Sequence, residues 1–189
     1  MYKALLALFL GVVLLQGCSG MRVVDSQVSS FAPAPVPSGS RYRFERLPSQ
    51  QVAPAAQDAL EAMAQEALDQ VGLVHDDKGA AFTVQVSATQ HLQQELLERP
   101  LWGWNPGWRR GYGAWAPFPG PHVRTSYWRE VGLTIRNNAT QQVVFESHAT
   151  NDGTWADSEA VLPAMLDAAL EGFPTPPSGV RRVDIEIAR

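Results

Sequence analysis

The sequence predicts an α+β fold: a two-layer sandwich in which a mostly antiparallel sheet of about five to six strands carries two amphipathic helices on one face. Three observations lead there. Phe82, Val84, Val86 and Ala88 alternate with Thr83, Gln85, Ser87 and Thr89, the period of a half-buried strand. Leu60, Met63, Ala64, Ala67, Leu68 and Val71 recur at helical spacing, as do Leu162, Met165, Leu166, Ala169 and Phe173. The order of strands, helix, hairpin, helix and strand leaves both helices free to lie on the same side.

The elements follow in chain order. Ala4 to Leu15 is uniformly apolar behind one charge, Lys3, and has the plan of a secretory signal peptide. It is shorter than the roughly 20 residues a spanning helix needs. The run ends at Leu15, Gln16, Gly17 and Cys18, which resembles the lipobox of bacterial lipoproteins: a Leu three places before the cysteine and a small residue just before it. The resemblance implies that residues 1–17 are removed and that Cys18 is lipidated. Each buried methylene adds about 0.8 kcal/mol, so several acyl chains on one residue make a stable anchor. Ser19, rather than Asp, implies the outer membrane, with its periplasmic face as the default.

Residues 18–189 then read as a single α+β domain. Met21 to Ser30 has the alternation of a strand. Phe31 to Gly39 contains Pro33, Pro35 and Pro37 and reads as a connection with polyproline character. Arg41 to Leu47 reads as a second strand with Tyr42 and Phe44 on one face. The first helix spans Pro54 to Gly72, with Pro54 suited to the first turn and Gly72 to the left-handed terminus, and with Asp58, Glu61, Gln65 and Asp69 facing water. Asp76 to Gly79 is a turn; its paired carboxylates lack the further oxygens a calcium site needs. After the strand at Phe82, further strands run over Val131 to Ile135 and Val143 to Ser147, joined by turn chemistry at Asn137 to Thr140. A second helix runs from Asp157 or Ser158 to Leu170; Pro163 requires that it begin later or kink. Val183, Ile185 and Ile187 alternate with polar residues in a final strand.

This order resembles the bacterial lipoproteins grouped as domain of unknown function (DUF) 4136. The resemblance runs from about Met21 to Ile187 and includes the pair Phe173-Pro174 after the second helix. Asn137 to Thr140 replaces the family's usual acidic and glycine turn, and Phe145 stands where Trp is common. The resemblance implies the fold and an envelope lipoprotein, and supplies no mechanism.

Five of the six tryptophans fall in residues 100–128, at Trp102, Trp104, Trp108, Trp115 and Trp128, together with Tyr112 and the cations Arg109, Arg110 and Arg124. Glycines and prolines recur from Gly103 to Gly120, so the whole stretch reads as a long loop between two strands, a kind of loop that is often functional. The candidate binding residues are Trp102, Trp104, Trp108, Arg109, Arg110, Tyr112 and Trp115. Three roles fit them: stacking on the sugars of peptidoglycan or another polysaccharide, sitting at a membrane interface, or forming a protein hot spot. The competing structural reading folds some of the rings back onto the sheet.

Composition narrows the partners. The formal charge of −4 disfavours nucleic acid and anionic headgroups as main partners. The single cysteine allows no disulfide within the chain. His75, His91, His122 and His148 have no metal-ligand spacing, and Ser26, Ser147 and Ser158 lack a nucleophile elbow. Glu95 and Glu98 read as a solvated face. The sequence therefore points to a non-catalytic module without cofactor or metal, whose partners are the membrane and, through the loop, envelope proteins or peptidoglycan. A hydrolase site assembled from distant residues is the remaining enzyme reading.

Overall fold

A seven-stranded sheet with two helices packed on one face makes up the computed structural model of the chain, which describes residues 20–97 and 122–188. The strands are β1 (Met21–Phe31), β2 (Arg41–Phe44), β3 (Val74–His75), β4 (Phe82–Leu97), β5 (His122–Asn137), β6 (Val143–Gly153) and β7 (Val180–Ala188). Their order across the sheet is β3-β2-β4-β5-β6-β1-β7. Only β3–β2 and β2–β4 are parallel; the other four neighbours are antiparallel. The α+β class and the mostly antiparallel sheet match the expectation, while the strand count exceeds it. The extra strand is β3, whose two residues are too few to show alternation.

Helix α1 (Pro54–Gln70) has Pro in its first turn and is followed by Gly72 at φ +83°, as its sequence predicts. Gly72 also accepts a main-chain bond from Gly39 at 2.7 Å, tying the Pro-rich connection to the helix end. That connection is part of the core wall, with Val36 buried and Ala32 and Ala34 packed beside it. One position on α1 differs from the sequence reading. Glu61 is buried rather than facing water, because Arg46 donates to it from Nε at 2.7 Å and Nη2 at 2.6 Å, and Gln57 donates at 3.0 Å. A carboxylate tolerates burial when its oxygens are bonded in this way.

Helix α2 (Ser158–Leu170) is capped by Asp157, whose carboxylate accepts from the Ala160 amide at 3.2 Å. It starts at Ser158 and continues through Pro163. The N–H that proline lacks would have met the carbonyl of Glu159, an exposed first-turn residue whose oxygen can turn to solvent. Met165, Leu166 and Leu170 from α2 and Leu68 from α1 pack on Val84, Val86, Val131, Leu133, Ile135 and Phe145 of the central strands. Each such side chain stabilises the fold by about 1.5–3 kcal/mol. Phe173 lies edge-on to Phe145 at 5.0 Å and precedes a cis peptide to Pro174.

Turn chemistry is spent within the fold. Asp76 accepts from the amides of Gly79 and Lys78, which hold its carboxyl below the usual range with help from Arg41. Asn137 accepts from Ala139 and Thr140 in the β5–β6 turn.

The loop expected over residues 100–128 does not include its last seven residues. Residues 122–128 belong to β5 and pair in register with residues 91–97 of β4. The physical reason is visible once the register is known: no Gly or Pro occurs between His122 and Arg129, and Val123 and Thr125 favour a strand. Glu95 likewise lies in β4.

Candidate functional site

Leu15, Gly17, Cys18, Trp102, Trp104, Trp108, Arg109, Arg110, Tyr112 and Trp115 all lie outside the described residues, as does Glu98. What the structure does give is where the chain leaves toward them. In the β1–β6 ladder, Gln27 pairs with Thr150, so the first residues of β1 point the same way as the last of β6. Gly153 at the end of β6 pairs with Tyr127 near the start of β5, and Leu97 at the end of β4 pairs with His122. The path toward Cys18 and both paths into the aromatic segment therefore leave the sheet at one end.

At that end β4 and β5 run on together past the end of β6. β5 has five residues, His122 to Ser126, upstream of its last pair with β6, a projection of roughly 17 Å at about 3.3 Å per residue. Alternation gives this two-stranded arm two different faces. On the helix side lie Leu92, Leu96 and Val123, which are 55%, 56% and 56% exposed, with Tyr127 beside them. On the outer side His91 stacks on Trp128 at 5.5 Å, next to Gln93, Glu95, Arg124 and Ser126.

The root of the arm is built on a buried cation. Arg129 occupies the same strand face as Val131, Leu133 and Ile135 and is 0% exposed. Its Nη2 donates to the Trp155 carbonyl at 2.6 Å and its Nε to Ser158 Oγ at 3.1 Å, while Ser158 Oγ donates to Gln90 at 2.5 Å. Its guanidinium also lies 5.3 Å from the Tyr127 ring. Burial pushes the guanidinium pKa down from its ordinary value. Arg22 sits nearby, 5.2 Å over the Trp155 ring, and donates to Asp157 at 3.2 Å. That bond, followed by the Ala160 amide, holds the Asp157 carboxyl below its ordinary range. Together these residues clamp the segment that carries the chain from β6 to α2.

Where β6 leaves the sheet, a cleft of about 750 Å³ opens between the arm and β1. Its walls include Val23, Val24 and Asp25 of β1, Gln93 to Glu95, Arg124 and Ser126 of the arm, and Asn151 to Trp155. Asn151 donates from Nδ2 to the Asp25 carbonyl at 2.8 Å, at the point where the β1–β6 ladder stops.

The residues considered for catalysis are apart. His75 pairs with Asp77 at 3.3 Å, and His148 lies 3.4 Å from Glu130 and 3.0 Å from Glu146 on the outer face. Ser147 donates to the Ala169 carbonyl at 2.7 Å, and Ser26 is buried. Among the described residues no three His, Cys, Asp or Glu side chains are grouped to hold a metal ion. No described helix is long and apolar enough to cross a membrane. Sequence reading missed Arg129, Arg22, Asn151 and Asp25 as site residues. Arg129 carried a usable signal, since an arginine stands in line with the apolar positions Val131, Leu133 and Ile135.

Comparison with known proteins places the chain in a family. The family profile described as Domain of unknown function (DUF4136) matches residues 27–175. The chain belongs to that family. The match in this DUF4136 chain runs from the middle of β1 to just beyond α2, so it omits the first six residues of β1 and all of β7. No curated protein matches it. A PDZ domain protein from Parabacteroides distasonis ATCC 8503 has a similar fold, at TM-score 0.51 and 12% identity over 89% of this chain and 39% of that one. A PelC dodecamer from Paraburkholderia phytofirmans aligns at TM-score 0.49 and 10% identity, over 80% of this chain and 99% of that one. A variant PelC dodecamer from the same organism aligns at TM-score 0.47 and 12% identity over the same shares.

Proposed function

We propose that this DUF4136 chain is a lipoprotein of the bacterial outer membrane, held at the periplasmic face by acyl chains on Cys18. Its domain acts as a non-catalytic binding or scaffold module through the aromatic segment between β4 and β5. The observation that supports this most is the common end from which the chain runs toward Cys18 and into that segment.

Chain lengths make the relation quantitative. In the β1–β6 register Val24 is level with Gly153, and six residues separate Val24 from Cys18, a reach of at most roughly 20 Å. The arm extends roughly 17 Å past the same level. A lipidated Cys18 would therefore bring the tip of the arm close to the headgroups. Tryptophan and arginine suit that depth, with an apolar body and a polar edge, and they equally suit a protein partner at the membrane surface. Recognition of peptidoglycan by the same rings is the alternative binding role.

The test changes Trp102, Trp104, Trp108 and Trp115 together to alanine and follows co-purification with envelope proteins and with peptidoglycan. Loss of one of these associations supports the reading and identifies its partner class. Unchanged co-purification with both would sink the binding role.

A further inference from the structure

We infer that the cleft between β1 and the arm accepts an extended peptide as an added strand, and that the peptide it fits alternates apolar and basic side chains. The inference uses neither Cys18 nor the tryptophans of the aromatic segment, so its failure would leave the proposed function standing.

The cleft is the place of a missing strand. β6 lies between β1 and β5 as far as the pairs Gln27–Thr150 and Tyr127–Gly153, then turns away to reach α2. β1 continues as Met21 to Ser26, paired on its β7 side from Met21–Ala188 to Ser26–Val183. β5 continues as His122 to Ser126, paired on its β4 side. Among the described residues, nothing pairs with the facing edges of these two segments. Strands on either side of an absent one stand roughly 10 Å apart, the room one strand occupies. Val24 to Ser26 are level with Gly153 to Asn151 of β6, so the open gap lies beyond Gly153, between the three residues Met21 to Val23 of β1 and the five residues His122 to Ser126 of β5. An unpaired edge is a template for another chain, and strand addition is a recurrent way of binding extended peptides. Asn151 of β6 marks the inner end of the gap, where its side chain and not a ladder bond meets the Asp25 carbonyl.

The two faces of the cleft set the side-chain pattern. Val24 and Val161, both buried, line it on the helix side with Trp155. On the outer side stand Asp25, Asp152 and Glu95 against Arg124. Arg182 reaches Asp25 at 3.5 Å from β7, and the outer side remains acidic. Successive side chains of an inserted strand point to opposite faces. One set would meet the valines and the indole, and the other set the carboxylates, which selects lysine or arginine there.

The experiment uses the full chain and a fluorescein-labelled peptide of about eight residues alternating valine and lysine, long enough to fill the gap. Two controls keep its length: one is methylated on alternate amides, the other carries glutamate for lysine. The lysine peptide is expected to bind, and both controls to bind at least about tenfold more weakly, since one loses main-chain bonds and the other meets like charge. Hydrogen exchange of the amides in residues 21–23 and 122–126 is expected to be fast on the slot-facing edges of the free chain and to slow when the lysine peptide is added. The exposed change Asp152→Lys should weaken the lysine peptide and strengthen the glutamate one. Three results would overturn the inference: no binding of the lysine peptide, equal binding of the methylated peptide, or slot-facing amides already protected in the free chain. The last would mean that a second copy or another segment of the same chain fills the gap.

Discussion

Replacing Arg129 by alanine should destabilise the domain more than any surface change, and the structure allows the size to be worked out. The guanidinium is buried, with one bond to the Trp155 carbonyl and one to Ser158 Oγ. A hydrogen bond from a charged donor contributes about 1.5–3 kcal/mol, and the variant also leaves a cavity. Against these losses stands relief from burying a cation that has no carboxylate bonded to it, an effect of several kcal/mol. The balance for Arg129→Ala is a loss of about 3–4 kcal/mol, comparable with breaking other buried charged contacts. For a chain of this size each kcal/mol lowers the melting temperature by about 2–4 °C, which gives a fall of roughly 6–16 °C. Arg129→Met keeps the stem and removes the charge, so it should lose less than the alanine variant. Urea and thermal unfolding measure both. A loss below about 1 kcal/mol for Arg129→Ala would refute the assignment of Arg129 as the clamp between β5 and the β6–α2 connection, because the expected balance of about 3–4 kcal/mol already allows for the relief of the buried charge.

Two further outcomes follow from single positions. Gly72 has φ +83°, and a Cβ built there would come 2.8 Å from Ser38 Oγ, so Gly72→Ala should lower stability by about 1–2 kcal/mol in urea unfolding; an unchanged midpoint would contradict its role in ending α1. Burial, and then Glu66, raise the Asp167 carboxyl above its ordinary pKa, which penalises the ionised form in the folded chain. The penalty is full above the folded pKa and absent below the unfolded value of about 3.9. Asp167→Asn should therefore raise the melting temperature at pH 7 by a small margin that disappears toward pH 4, and a margin independent of pH would contradict that origin.

Much of the architecture is written in local pattern. The alternation at Phe82 to Thr89 and at Val183 to Ile187, the apolar stripes of both helices and the glycine after α1 each depend on neighbours in the chain, and each appears where expected. What escaped reading depends on distant partners. Glu61 looked solvated because nothing near it in sequence announces Arg46, and β3 was too short to have a period. The arm was hidden because the composition of residues 100–121 dominated the window that also contains His122 to Trp128. The cleft could not be read at all, since it arises from the registers of three strands and the point at which β6 departs. The DUF4136 resemblance held, as the family match shows, and it carried no information about this end of the sheet.

The central claim is that Cys18 carries the chain to a membrane, and the mature N-terminus tests it most directly. The full gene product would be expressed in a bacterial host, extracted from membranes, digested with trypsin and examined by mass spectrometry. The account predicts a peptide running from Cys18 to Arg22 with acyl chains on sulfur and on the amino group, and its loss in Cys18→Ser. A mature chain that begins elsewhere, or that begins at Cys18 with a free thiol, would contradict it.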